Sequence, residues 1–345
     1  MEYKKGDIYG THRVLSPKGV LPQPADVVDN NMEIYDNEVL IDVHTLNIDS
    51  ASFTEIVKRA EGSIEEIKKI IMNIVETTGK HKNPWTGSGG MLIGRVAEVG
   101  PNYVGDLKKG DKIATLVSLS LTPLKIEEIT EVRPDIDQVD IKGQAILFQS
   151  GIYAKLPKDL PQTLALSVLD VAGAPAQTAK ICHPGDTVVI LGGGGKSGIL
   201  CCWQAKKQVG INGHVICVDG FKKSINRAMS VNCADEYIVV NATDATAMYN
   251  EILDATDGEL ADVVINVVNI PNTEMASIMA CKDGGMVYFF SMATSFTKAA
   301  LGAEGVGKDV NMLIGNGYTK GHANVALQIL REDERIRNLF AQLYA

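Results

Sequence analysis

Val188-Val189-Ile190-Leu191-Gly192-Gly193-Gly194-Gly195-Lys196-Ser197-Gly198 decides how the rest of the chain is read. Four apolar residues make a short buried strand, the glycines make a turn, and Ser197 starts a helix expected to run to about Val209. Gly193, Gly195 and Gly198 fit the spacing G-x-G-x-x-G. In that pattern the first glycine allows a tight turn and the second lets a pyrophosphate lie on bare backbone. The third lets helix and strand pack closely, with the helix N-terminus aimed at the phosphates. Glycine clusters also serve as plain turns, so the context has to decide. A second apolar run, His214 to Val218, ends at Asp219, 21 residues after Gly198. A carboxylate there can accept both hydroxyls of an adenosine ribose. A phosphate-binding P-loop is excluded, because it needs a glycine where Ile190 stands.

Strand and helix signals alternate on both sides of this stretch. A helix is expected over about 162–180 and the turn His183-Pro-Gly-Asp186 follows it. Strands are read at 214–218, 236–240, 262–268, 286–291 and Asn311–Gly315. Helices are read at 222–231, 244–255, 272–281 and 321–331. A phosphate turn after the first strand of such a series describes a doubly wound parallel sheet, a Rossmann domain over 159–345. The first half reads differently. Strands at 38–46, 91–99 and 113–117, separated by Gly-Pro and Lys-Gly-Asp turns, suggest a β-rich domain over 1–158. Its one strong helix follows the capping box Ser63/Glu66, puts Ile64, Ile67, Ile71 and Ile74 on one face, and stops at Gly79. Residues 1–35 look irregular, and 118–143 are polar and read as a lid or insert.

With 345 residues, 45% of them hydrophobic and 22% charged, the chain suits a two-domain globular protein. A net charge of −9 argues against nucleic acid and anionic membranes as partners and mildly favours a cationic small molecule. The N-terminus has no apolar leader and no run is long enough to span a membrane, so a cytoplasmic protein is expected. All six cysteines lie at or after Cys182 without a C-x-x-C pair, which makes a disulfide framework or a zinc lobe improbable.

Several segments resemble the medium-chain dehydrogenase/reductase superfamily: Glu38-Val-Leu-Ile, Gly94-Arg-Val-Ala-Glu-Val-Gly100 with Lys109-Gly-Asp-Lys112, Pro184-Gly-Asp-Thr-Val-Val-Ile-Leu-Gly, and Ala261-Asp-Val-Val-Ile-Asn. The resemblance implies a GroES-like N-terminal catalytic domain, an active site in an interdomain cleft, a nicotinamide cofactor and a homo-oligomer. The departures matter as much. Where zinc-dependent members carry Cys and Gly-His-Glu, this chain has Asp49 and Gly89-Gly90-Met91. Near the third ligand position it has Ala172-Gly173, and a single carboxylate does not hold a catalytic zinc. Pro175 stands near a threonine that often touches nicotinamide in that superfamily, and the usual return of the chain to the first domain is nearly absent. As a whole the chain resembles the L-erythro-3,5-diaminohexanoate dehydrogenase family. This resemblance implies zinc-free, NAD-dependent oxidative deamination of a small diamino acid, giving 5-amino-3-oxohexanoate and ammonia. A zinc-free quinone or enoyl reductase of the same superfamily, or a nucleotide-binding protein without turnover, is the alternative.

An amine needs no metal-held alkoxide; it needs a base to take one proton before hydride leaves. Asp49 is the first candidate base, with capping of the following turn as its plain reading. Asp170, just before Ala172-Gly173, is the second, and Glu55 on a helix face the third. Arg95 on its strand is a candidate for the substrate carboxylate, as is Arg59, which also stands i,i+4 from Glu55. His44 is expected as a hydrogen-bonded core histidine, His183 at the surface, and Ser88 as a turn residue that could also meet substrate. At the cofactor, Lys196 and Ser197 begin the helix, and Lys196 either adds a charge to the pyrophosphate or faces solvent. Asp219 favours NAD, while Lys222 and Lys223 leave some NADP use open. Asn266, Val268 and Ser291, at later strand ends, are expected to line ribose and nicotinamide.

Overall fold

The computed structural model describes residues 3–291, 293–315 and 317–344. The chain divides into two units, Met1–Lys158 and Asp159–Ala345.

Unit 1 contains strands β1 (Val14–Ser16), β2 (Val27–Val28), β3 (Val39–Asn47), β4 (Met91–Val99), β5 (Lys112–Thr115), β6 (Leu124–Arg133), β7 (Gln138–Leu147) and β8 (Tyr153–Lys155). Helices α1 (Ser50–Arg59) and α2 (Ile64–Thr78) connect β3 to β4. β1 and β2 form a small ribbon, and the other six strands form one antiparallel sheet in the order β6-β7-β3-β4-β5-β8. Alternation on β3 turns Val39, Ile41 and Val43 inward. They share a core with Phe53 and Ile56 of α1, Ile67 and Ile71 of α2, and Leu92 and Ile113 of the sheet. Ser63 accepts from the Glu66 amide at 3.4 Å and Gly79 closes α2 with φ 74°, as the capping signals imply.

Two readings of this half need correction. Residues 118–143 are not an insert, because 124–133 and 138–143 belong to the β6–β7 hairpin that completes the sheet. Register shifts near Glu128 and Glu131 break the two-residue alternation of β6, which is why its run looks polar rather than strand-like. His44 is exposed, not a core histidine; it points away from the core beside inward Val43 and Thr45.

The irregular first 35 residues are organised by a side chain rather than by secondary structure. The Arg13 guanidinium is fully buried and meets the fully buried Glu38 carboxylate twice, Nε to Oε1 and Nη2 to Oε2, each at 2.7 Å. Its remaining N–H groups donate to the carbonyls of Asn31 at 2.6 Å, Glu33 at 2.8 Å and Asp29 at 3.3 Å. Glu38 also accepts the Tyr35 amide at 2.9 Å and lies 2.8 Å from His12 Nε2. A buried ion pair is tolerable only when its donors and acceptors are satisfied in this way.

Unit 2 carries β9 (Thr187–Leu191), β10 (His214–Asp219), β11 (Glu236–Val239), β12 (Ala261–Asn266), β13 (Cys281–Phe289) and β14 (Asn311–Ile314). They form a parallel sheet in the order β11-β10-β9-β12-β13-β14. The helices are α3 (Gln162–Leu169), α4 (Gly173–Ile181), α5 (Lys196–Val209), α6 (Lys222–Val231), α7 (Ala245–Ala255), α8 (Glu274–Ala280), α9 (Phe296–Val306), α10 (His322–Glu332) and α11 (Glu334–Tyr344). The chain leaves β9 toward β10 on one side and later fills β12 on the other, so strand order reverses at β9. Ligands of such sheets bind beyond the strand C-termini at that point.

The helix expected over 162–180 is two helices. Pro175 lacks the N–H an uninterrupted helix would use and sits instead in the first turn of α4, where none is required. α9 and α11 were not anticipated. α11 exists because Asp333 caps it, accepting the Arg335 and Ile336 amides at 2.8 and 3.2 Å and the Trp203 indole N–H at 3.2 Å. The hydrogen bond from the Arg335 side chain leads the causes that hold the Asp333 carboxyl down at about 2. All six cysteines are buried and unpaired with one another.

The Arg13–Glu38 pair yields a stability prediction. Burial alone would raise the Glu38 pKa, but the hydrogen bonds from Arg13 and His12 outweigh it and hold it below its ordinary value. A carboxyl depressed in the folded state stabilises above the unfolded pKa, and that contribution fades as pH falls through the folded one. Glu38→Gln, which leaves Arg13 buried and uncompensated, should destabilise by about 3–5 kcal/mol at neutral pH. In denaturant melts the gap to wild type should narrow below about pH 4. A gap that is absent, or independent of pH, contradicts this role.

Candidate active site

In unit 2 the backbone turns at Gly192, whose φ of 79° is left-handed; this turn position was expected at Gly193. The amides of Gly192 and Gly193 both donate to the Val218 carbonyl at 2.9 Å, tying the turn to the end of β10. Gly198 fills its expected role. A methyl on it would stand 2.1 Å from the Gly192 carbonyl oxygen and 2.5 Å from the Gly193 Cα. Side chains have no room there, so α5 can begin directly against the turn.

α5 starts at Lys196, one residue earlier than expected, and no side chain caps it. Helix N-termini hold N–H groups with no partner inside the helix, and such groups attract anions. Asp219 stands beside the turn, accepting the Gly194 amide at 3.3 Å and the Phe221 amide at 3.2 Å. Val268 packs over Gly192, where an added methyl would meet its Cγ2 at 3.1 Å. Ser291 follows β13, its hydroxyl accepting the Ala293 amide at 3.1 Å.

Three unit 2 assignments change. Asn266 is fully buried and does not line a ligand with its side chain. Its amide nitrogen donates to Thr273 Oγ1 at 2.8 Å and Ser277 Oγ at 2.9 Å, and its oxygen accepts the Val268 amide at 3.0 Å. It fixes the loop that carries Val268. Lys196 and Asp170, read separately as phosphate charge and candidate base, form one ion pair at 2.9 Å. Arg227 was missed, and its guanidinium steadies the turn by donating to the Gly194 carbonyl at 3.1 Å.

In unit 1, Asp49 lies two residues past β3 and caps α1. Its Oδ1 accepts the Ser52 amide at 3.0 Å, the plain reading of the sequence. Its Oδ2 does something more, accepting the Ser88 hydroxyl at 2.6 Å. Ser88 Oγ is 2.9 Å from Ser52 Oγ, which is 2.5 Å from Thr86 Oγ1. The glycine-rich turn lies flat on the Asp49 backbone because Gly90 has φ 105°, where a methyl would be 2.1 Å from the Asn47 carbonyl oxygen and 2.9 Å from the Asp49 amide. His81 completes the surroundings. It is fully buried, neither ring nitrogen has a hydrogen-bond partner, and burial pushes its pKa down to about 4 against the opposing pull of Asp49.

Other candidates sit elsewhere. Arg95 is exposed and donates to the Gly110 carbonyl at 2.9 Å. It is four residues along β4 from Met91, the partner of Asn47, so it stands about 13 Å up the strand from Asp49's end. Arg59 pairs with Glu55 at 2.8 Å and stacks on Trp85 at 3.9 Å. His183 is on the surface. Ser52, Thr86 and His81 went unnoticed because a serine one turn into a helix and a His-Lys-Asn run both look solvent-facing in sequence. Among the described residues no three His, Cys, Asp or Glu side chains gather as a metal would require.

Residues 12–157 match a family model described as the L-erythro-3,5-diaminohexanoate dehydrogenase N-terminal domain. A protein of Acetoanaerobium sticklandii named L-erythro-3,5-diaminohexanoate dehydrogenase is 58% identical over 342 residues, 99% of either chain. A protein of the same name from Fusobacterium nucleatum subsp. nucleatum is 56% identical over 343 residues, again 99% of either chain. The chain belongs to the L-erythro-3,5-diaminohexanoate dehydrogenase family. The fold is also that of an alcohol dehydrogenase from Thermotoga maritima, at TM-score 0.54 and 15% identity over 90% of this chain and 85% of that one. A mycobacterial quinone oxidoreductase gives TM-score 0.51 and 15% identity over 93% and 84%. For this family member, the ion pair at α5 separates two roles for Asp170. As a brake on Lys196, Asp170→Asn frees an ammonium for the phosphates and lowers the dinucleotide KM about two- to fivefold, with kcat unchanged. As a base, the same change would cut kcat about a hundredfold or more. Steady-state kinetics on the variant separates the two, and the first result is expected.

Proposed function

We propose that the chain catalyses NAD-dependent oxidative deamination of the 3-amino group of L-erythro-3,5-diaminohexanoate, without a metal. The near full-length identity to two dehydrogenases of that name carries the substrate. The site residues support the chemistry. The uncapped start of α5 and the bare turn at Gly192–Gly195 suit a pyrophosphate, and Asp219 suits ribose hydroxyls while repelling a 2′-phosphate. NAD, when bound, accepts a hydride.

The substrate amine arrives as an ammonium and must lose a proton before its lone pair can expel the hydride from C3. Asp49 Oδ2 takes that proton. Its other oxygen stays on the Ser52 amide, so the carboxylate keeps its direction as it changes charge. Hydride loss leaves an iminium, whose positive charge a nearby carboxylate favours. Water then adds to the C=N carbon and ammonia leaves, giving the 3-oxo acid. Where a metal-dependent relative would need thiolate and imidazole ligands, this chain has a carboxylate and Gly89-Gly90. The turn can lie against Asp49 only because Gly90 lacks a side chain.

The purified protein, incubated with the diamino acid and NAD, should form ammonia and reduced cofactor in equal amounts, and activity should survive exhaustive treatment with a zinc chelator. Turnover of simple alcohols with none of the diamino acid would overturn the substrate. Activity abolished by the chelator and restored by zinc would overturn the metal-free chemistry.

A further inference from the structure

Lys196 opens α5, and its ammonium is shared by two groups outside that helix. The Asp170 carboxylate lies at 2.9 Å, and the face of the Tyr344 ring lies 5.4 Å away at its centroid. A cation at a helix N-terminus stands against the positive end of the helix dipole, so partners of this sort offset its cost. The two partners differ in kind. A carboxylate cancels the charge of the ammonium and competes with any phosphate for it. A ring face attracts the ammonium through its quadrupole, carries no net charge and leaves the positive charge in place.

The ring is held independently of the lysine, because α11 is fastened to α5 near both of its ends. At its start Asp333 accepts the Trp203 indole N–H at 3.2 Å, and Trp203 lies about two turns along α5 from Lys196. Beside it Glu332 pairs with Lys207, also on α5, at 2.7 Å. From there α11 runs back along α5 until Tyr344 reaches Lys196. On the way Ile336 and Phe340 are fully buried, and Phe340 meets the Tyr344 ring edge-on at 5.2 Å. A buried aromatic therefore sets the ring's place, and the ammonium comes to it.

We propose that Tyr344 is a positioning residue of the dinucleotide site: its ring keeps the Lys196 ammonium at the start of α5 with its charge available to a diphosphate. The proposal rests on the glycine turn before α5 being that site. Asp170 and Tyr344 then act on one lysine in opposite senses. Asp170 withholds the charge, so its loss tightens binding of an anion. Tyr344 guides the charge, so its loss leaves the long side chain to Asp170 and to solvent and weakens binding. A half-exposed cation–π contact is worth about two- to fivefold in a binding constant.

The experiment is equilibrium titration of NAD into full-length variants, with thermal melts to establish folding. Tyr344→Leu, which keeps an apolar contact for Phe340, should raise the dissociation constant about two- to fivefold, and Tyr344→Gln should do the same. Tyr344→Phe keeps the ring and should match wild type, while Asp170→Asn should shift the constant the other way. Lys196→Met removes the ammonium, so adding Tyr344→Leu to it should change nothing further. An equal loss from Tyr344→Leu with and without Lys196 overturns the proposal, because the ring would then act by supporting the fold. Unchanged or tighter binding by Tyr344→Leu and Tyr344→Gln, or a Tyr344→Phe variant as weak as Tyr344→Leu, also overturns it and leaves the glycine turn as the cofactor site. Wild-type protein that binds no NAD overturns that site itself, and the role of Tyr344 with it.

Discussion

The contact between Gly198 and the Gly192–Gly193 backbone sets the geometry of the dinucleotide half. With 2.1 Å available for a first side-chain carbon, no other residue lets α5 start where it does. Pulled back by one side chain, the helix would lose its aim past the turn, and β9 would lose the partner that covers it. The rest follows from that approach. β10 ends at Asp219 next to the same turn, and the internal bonds of Asn266 hold the β12–α8 loop so that Val268 covers Gly192. The turn is thus made mainly from backbone, which suits the anion site proposed there, and the side chains around it fix loops rather than reach out.

The first unit solves a different problem. Its N-terminal segment has little regular structure, so one arginine stands in for a ladder, collecting three carbonyls and a carboxylate. The same economy recurs at Asp49. One carboxylate oxygen closes the first turn of α1, and the other accepts the Ser88 hydroxyl of the glycine-rich turn. A carboxylate held at both oxygens keeps its direction better than one in an open loop, which suits the base proposed above. His81 contrasts with this. A buried imidazole whose ring nitrogens meet no well-aligned partner among the described residues costs stability.

Much of this was legible in the residues. The glycine spacing, the apolar run ending at Asp219 and the strand–helix alternation identify the parallel sheet without coordinates. Asp49 was legible both as a cap and as a departure from metal-binding relatives. What escaped reading was set by irregular pairing or by partners that no local pattern joins. β6 hides because its bulges break the two-residue period. Asp170 and Lys196 looked like separate charges because 26 residues lie between them. Asn266 has a polar side chain at a strand end, where ligands usually are, and only the positions of Thr273 and Ser277 show that it is fully used. Ser52 and Ser88 are 36 residues apart, and no local pattern joins them.

Equilibrium titration of NAD and NADP into the wild-type protein and into Gly198→Ala decides whether the turn at Gly192 holds the cofactor. Wild type should bind NAD at least about tenfold more tightly than NADP, because Asp219 disfavours a 2′-phosphate. Gly198→Ala should bind neither. No NAD binding by wild type, or undiminished binding by a folded Gly198→Ala variant, would contradict it.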